Sequence, residues 1–381
     1  MIRHQLTRTV GLALALAAVA VVPGYSAGQK DQLEGKWTIV SMTDSREKLG
    51  PDDVGFIVLE FKGDKVTLLA LDKAKEGSFK ADNAKNPRQF EMELDLVTQG
   101  RRVLGIYKIE KDLLTLCWTN VPDTLPAKFE VKKVDEFRGS PNKLVILKRG
   151  EPNLTPAQRE AMRAKVEDKA RRKTSANNLR HIAIAMHNFH DTYKRFPPPA
   201  IMSKDGKPLL SWRVAILPFI EELALYNQFK LNEPWDSAHN IKLLEKMPKF
   251  FLPQGVKTKE PHTTYYQLFV GPDAWPITPQ KGTLFNAAGL RMPASFLAGT
   301  SNNIMVVEAG EAVPWTKPAD LPFDAKKPLP KLGGLFKDGF HVVMGDASIR
   351  FVGRGIPERI LRLVINRNTV EPIPNDWHER R

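Results

Sequence analysis

Near residue 150 the spacing of the apolar residues changes from two to between three and four, so no single fold class accommodates the whole chain. Before that point, short runs alternate apolar and polar residues. They are Trp37–Val40, Phe56–Phe61, Lys65–Leu69, Phe90–Leu94, Leu104–Ile109, Leu113–Trp118, Lys128–Val131 and Leu144–Leu147. Turn formers punctuate them: Gly63-Asp64, Asp82-Asn83, Gly100, Lys111-Asp112 and Gly139-Ser140-Pro141-Asn142. Eight short strands with regular turns predict a small antiparallel barrel or sandwich. Its expected inward residues include Trp37, Val58, Leu68, Ile106, Leu116 and Ile146.

After it, Asn153-Leu154-Thr155-Pro156 reads as a helix start, with Thr155 as N-cap and Pro156 in the first turn. Residues 157–173 are rich in Ala, Arg, Glu and Lys. Leu179, Ile182, Ala183 and Met186 then recur at helical spacing on one face. The helix is expected to run to about Tyr193, and Phe196-Pro197-Pro198-Pro199 stops it. The remainder reads as α+β and rich in loops. A helix candidate over Ser211–Phe229 is broken at Pro218, strands are expected at Asn303–Glu308, His341–Met344 and Ile349–Val352, and a short helix at Leu361–Ile365.

The N-terminus carries Arg3 and Arg8, an apolar run from Val10 to Val22, and the small residues Gly24, Ser26 and Ala27. That is the layout of a cleavable secretory signal, too short to span a bilayer comfortably. The expected organisation is a signal peptide over 1–27, a barrel domain over 28–150, a charged helical linker over 151–173 and an α+β domain over 174–381. The lone cysteine, Cys117, excludes an intramolecular disulfide and reads as a buried small hydrophobe. The net charge is +14, yet the basic residues are interspersed with acidic ones rather than set in a stripe with aromatics, which argues against nucleic-acid binding. The dense cluster Arg163, Lys165, Lys169, Arg171, Arg172 and Lys173 reads as a solvated helical face.

Two resemblances follow. Leu33-Glu34-Gly35-Lys36-Trp37, Leu116-Cys117-Trp118 and Leu147-Lys148-Arg149 resemble a small lipocalin-like domain of unknown function from exported bacterial proteins. From Arg172 to about Pro372 the chain resembles a pilin-like domain of unknown function, also labelled solute-binding-like. The matching pieces include Met186-His187-Asn188-Phe189-His190-Asp191, Ser211-Trp212-Arg213-Val214, Glu233-Pro234-Trp235-Asp236-Ser237, Val313-Pro314-Trp315 and Gly345-Asp346-Ala347-Ser348. The resemblance implies a long helix packed on an antiparallel sheet and an exported location, and supplies no reaction. Such proteins usually start with a pilin leader and an apolar anchoring helix; here the equivalent stretch, Pro156–Lys173, is charged and follows a β domain. Two positions where relatives often carry Cys hold Ser175 and Leu252.

Candidate chemistry is sparse. His187 and Asp191 lie four apart, as do Met186 and His190, a spacing that sets two metal ligands on one helix face. No third ligand can be assigned, so neither a metal nor a cofactor is expected. His239, His341 and Asp346 offer a second constellation, against the alternative that Asp346 with Ser348, and Asp236 with Ser237, bond backbone in turns. Glu221-Glu222 and Glu308 could pair for glycosidic cleavage. No Gly-x-Ser-x-Gly elbow or phosphate loop occurs. Trp212, Trp235 and Trp315 read as structural, and Trp377, in a polar tail, as the least constrained of the tryptophans, which also include Trp275. The expectation is an exported, non-enzymatic binding or surface-interaction protein whose partner is a cell-surface glycan or protein. Two alternatives are a periplasmic hydrolase of glycans or peptides and a carrier of a small apolar ligand in the barrel.

Overall fold

A computed structural model describes residues 32–378, except 45–47, 95–97, 99–100, 120, 122, 132–141, 254, 257, 275–289 and 375. The signal peptide, Gly100, Trp275 and the Gly139-Ser140-Pro141 turn lie outside the described residues. The chain divides into two units, Met1–Lys165 and Val166–Arg381.

In the first unit, alternation produces antiparallel strands. These are β1 (Gly35–Thr43), β2 (Lys48–Leu49), β3 (Ile57–Lys62), β4 (Lys65–Ala70), β5 (Lys73–Asp82), β6 (Arg88–Glu93), β7 (Val103–Glu110), β8 (Leu113–Thr119) and β9 (Asn142–Arg149). From β3 to β9 each strand pairs with the next, and β1 pairs with both β3 and β9. Eight strands thus close a barrel, with two-residue β2 as an appendage on β1. The strand expected at Lys128–Val131 is irregular chain instead, and β5, rich in charged residues, was hidden from a hydrophobic pattern.

Trp37, Phe61, Phe79, Phe90, Tyr107 and Trp118 fill the interior. Rings of Phe61, Phe79, Phe90 and Tyr107 step across it at centroid separations of 4.7, 5.3 and 6.5 Å. Gly105 faces Phe90, and a Cβ there would lie 2.3 Å from that ring, so the glycine makes room for it. The gap among Ile39, Met42, Leu59, Met92, Leu116, Trp118 and Val145 is about 10 Å³, room for one water at most. Three of the six residues expected to point inward do not belong to this core. Leu59 and Phe61 carry the inward face of β3 rather than Val58, Tyr107 rather than Ile106, and Val145 and Leu147 rather than Ile146. Ile106 and Val58 are nonetheless buried, so burial alone did not reveal the face.

A single helix, α1 (Pro156–Tyr193), follows. Thr155 Oγ1 accepts from the Gln158 amide at 3.3 Å and Gln158 Oε1 accepts from the Thr155 amide at 2.8 Å, a reciprocal capping box. The second unit centres on an antiparallel sheet of order β12-β14-β16-β17, formed by β12 (Thr263–Gln267), β14 (Ile304–Pro314), β16 (Gly339–Met344) and β17 (Ile349–Gly353). Two small pairs accompany it: β10 (Ala200–Met202) with β11 (Pro208–Ser211), and β13 (Phe269–Val270) with β15 (Leu321–Pro322). Alternation along the strands gives each face its own core. Tyr266, Val306 and Val343 join Leu179, Ile182, Met186 and Phe189 of α1. Val307, Val342 and Met344 join Ile360, Leu361 and Val364 of the short helix α2 (Glu358–Ile365). The unit combines a long helix with an antiparallel sheet, the arrangement the resemblance implies, and α1 docks by the face its periodicity marks.

The Ser211–Phe229 candidate is three short turns of helix (Trp212–Ala215, Leu217–Phe219 and Leu223–Tyr226) rather than one helix interrupted at Pro218. Trp377 contradicts its expected freedom. It is fully buried against the α2 side of the sheet, with the Arg350 guanidinium 5.5 Å from its ring centroid.

A buried polar network and the candidate functional site

Six of the polar side chains in the second unit, Ser175, Arg213, Tyr266, Glu308, Asp320 and His341, form one connected network. Tyr266 on β12 pairs directly with Glu308 on β14. His341 on β16 lies one position beyond the Val307–Val342 pair. The three therefore form a row across adjacent strands, facing Ser175 on α1. Ser175 donates to Glu308 Oε1 and bonds the Tyr266 hydroxyl at 2.7 Å. His341 gives the carboxylate two more bonds, from its backbone amide to Oε2 at 2.7 Å and between Nδ1 and Oε1 at 3.0 Å. Glu308 is completely buried, and its donors replace the water it has lost.

Tyr266 also carries the second half of the network. Its carbonyl accepts from Arg213 Nε at 2.9 Å and Nη2 at 2.7 Å. Arg213 further donates to Ser211 Oγ at 2.6 Å and to Asp320 Oδ1 at 3.0 Å. Asp320 Oδ1 also accepts from the Leu268 amide at 2.9 Å and the Trp212 indole at 3.1 Å. Burial pushes the Asp320 carboxyl up, and the Arg213 guanidinium with these donors opposes that push. Burial likewise pushes the Tyr266 phenol up, so it serves as a neutral hydroxyl.

Sequence reasoning named Glu308 and His341 separately, but missed Ser175, Tyr266, Arg213 and Asp320 as their partners. The signal for Arg213 was its place between the bulky apolar residues Trp212 and Val214, where a charge is not expected without a buried partner.

The remaining candidates do not converge on these two. Asp346 is exposed and caps the turn before β17, accepting from the Ser348 amide at 2.9 Å and hydroxyl at 2.6 Å. His239 is exposed, with Nε2 2.8 Å from the Gln228 carbonyl oxygen. Asp236 is exposed, beside Ser237 whose hydroxyl accepts from the Asn240 amide. The His239–His341–Asp346 constellation therefore gives way to the turn account. Glu221 is exposed while Glu308 is sealed, so these carboxylates cannot jointly flank a substrate. His187, His190 and Asp191 do cluster. His190 Nδ1 is 3.8 Å from Asp191 Oδ1, and both imidazoles pack on Phe196. Among the described residues, no group of three or more His, Cys, Asp or Glu is arranged to hold a metal ion.

A partly exposed aromatic cluster lies where α1 ends, with the Tyr193 ring 4.5 Å from that of buried Phe189. Tyr193 is 44% exposed and Leu223 54% exposed. Half-buried Phe219 stands perpendicular to Tyr193 at 6.2 Å, and half-buried Tyr226 lies close enough to Tyr193 to interact with it. The backbone is left-handed on both sides, at Lys194 (φ 56°) and Glu221 (φ 63°). Among the aromatics, sequence reasoning weighed only the tryptophans and overlooked these tyrosines.

Residues 165–329 match the model of a family described as a protein of unknown function (DUF1559). The match takes in α1 from its third turn onward, Tyr266, Glu308 and Asp320, and stops before β16. No curated protein and no solved structure matches the chain. No described helix is long and apolar enough to cross a membrane.

Proposed function

We propose that the protein is exported through its N-terminal signal and acts as a binding or surface-interaction module, not by chemistry of its own. In this reading the first unit is lipocalin-like, the second is a pilin-like domain without the apolar anchoring helix, and the partner is a cell-surface glycan. The observation that carries the reading is the tyrosine patch at the end of α1. Exposed tyrosine faces offer large apolar area with polar edges, which suits the C–H faces and hydroxyls of sugar rings. Glu308, His341, Arg213 and Asp320 are meanwhile engaged in internal bonds.

Co-sedimentation with purified cell-wall glycan tests the proposal. The full chain is expected to pellet with the glycan, and the double variant Tyr193→Ser, Leu223→Ser to lose most of that binding while keeping its melting transition. Equal pelleting of both proteins would count against the patch. Recovery of the intact chain with residues 1–27 still attached, in the cytoplasmic fraction, would count against export.

A further inference from the structure

We propose that His190, with His187 one turn before it, is a pH-operated latch that holds residues 290–296 on the second unit while the rings are neutral and releases them on protonation. The Met292 amide donates to His190 Nε2 at 3.1 Å. That nitrogen must present a lone pair, so the ring's proton sits on Nδ1; a ring protonated at both nitrogens could not accept this bond. The same segment is held by the Phe196 amide, which donates to the Leu290 carbonyl at 2.8 Å. The Phe196 ring is a common wall, with His187, His190 and Phe296 at centroid separations of 5.2, 4.9 and 6.2 Å. Leu290 and Phe296 are buried in the core that α1 shares with the sheet.

Protonation works against this packing at two places. At His190 it sets an N–H against the Met292 N–H and a charge beside apolar rings. At His187 it puts a charge on a half-buried ring whose Nε2 is buried without a hydrogen-bond partner, and desolvation outweighs the Gly345 backbone contact that favours the charged form. Burial holds the His187 imidazole below the usual histidine range. The unfolded state therefore binds the proton more readily, and the stabilisation present above the ordinary histidine value is lost as pH falls. The charged groups around the pair do not cancel this. Asp191 on α1 and Asp346 from the β16–β17 turn are exposed and screened by water. Within the pair, the neighbouring His190 ring opposes a charge on His187.

Hydrogen–deuterium exchange of the full chain at pH 7.5 and 5.0, corrected for the intrinsic pH dependence of exchange, tests the latch. Peptides covering 290–296 are expected to lose about tenfold or more of their protection at pH 5.0 while β14 and β16 keep theirs. In His190→Gln the side-chain oxygen replaces Nε2 as a non-titrating acceptor, and protection should persist at both pH values. Unchanged protection in the wild type, or equal loss in wild type and variant, overturns the proposal. If the variant does not fold, NMR of the ¹⁵N-labelled wild-type protein decides. Protonation of His190 with a concerted shift of the Met292 amide supports the latch, and protonation without that shift overturns it.

Discussion

Tyr266 holds two buried charged clusters in one network, its hydroxyl through Ser175 toward Glu308 and its carbonyl through Arg213 toward Asp320. Removing one partner of such a pair strands the other charge in the core. Asp320→Ala is therefore expected to destabilise the second unit by about 3–5 kcal/mol in urea titrations, whereas replacing both Arg213 and Asp320 by apolar residues of similar volume should cost less. A smaller loss in the single variant than in the double would contradict a stranded charge. Cys117 makes the opposite case, a titratable group kept inert. Its thiol contacts the Lys128 carbonyl at 3.6 Å, and burial pushes its pKa up to about 11. A thiol reagent at pH 8 should leave Cys117 unmodified in the folded protein and label it fully in denaturant. The sequence made Cys117 legible, since an apolar run surrounds it. It concealed Trp377, whose neighbours in the chain are polar while its neighbours in space are α2 and β16. It concealed Asp320 for the same reason, because a buried ion pair between residues 107 positions apart leaves no local trace.

Helix α1 was the most legible element, since capping, propensity and periodicity all specify the same span. Ile182 is fully buried on its sheet-facing side, so Ile182→Asp should cost about 4 kcal/mol or more and abolish the second unit's thermal transition. Its charged first half is less uniform than the composition implies. Arg163 forms an ion pair with Asp72, and Lys165 with Asp53 at 2.8 Å, all well exposed. Arg163→Glu should then cost about 1 kcal/mol or less. Arg172 differs, pairing with Asp168 at 2.7 Å while its guanidinium sits 4.4 Å from the Phe351 ring centroid. Arg172→Ala should cost clearly more than Arg163→Glu in matched thermal melts, and equal costs would return the whole cluster to the role of solvated surface. The strands were harder to read. Where both sides of a strand are covered, as at Leu116-Cys117-Trp118, apolar residues run consecutively and alternation no longer marks the inward side.

At the scale of the whole molecule, the first unit has a core of its own and a sheet without a free edge among its eight principal strands. A chain covering residues 32–150 is therefore expected to fold cooperatively alone, checked by a sigmoidal urea transition monitored through tryptophan fluorescence. Trp37 is fully buried, donates its indole N–H to the Leu33 carbonyl at 2.8 Å and carries the Arg149 guanidinium 4.1 Å from its ring centroid. Trp37→Ala should remove about 3–5 kcal/mol from that transition. Closure of the ring also has a kinetic side. Neighbours from β3 to β8 are joined by connections of two to nine residues and can pair as they are made, but β1 must wait for β9, the last strand of this unit, which follows a 22-residue connection. Thr38 meets Lys148, 110 positions further along the chain, and contacts of such long separation form slowly because loop closure precedes any gain from them. During synthesis the open edge of β1 is thus the last part of the unit to be protected, and a ribosome stalled before residue 142 would hold an unclosed sheet whose exposed strand edge is a target for chaperones.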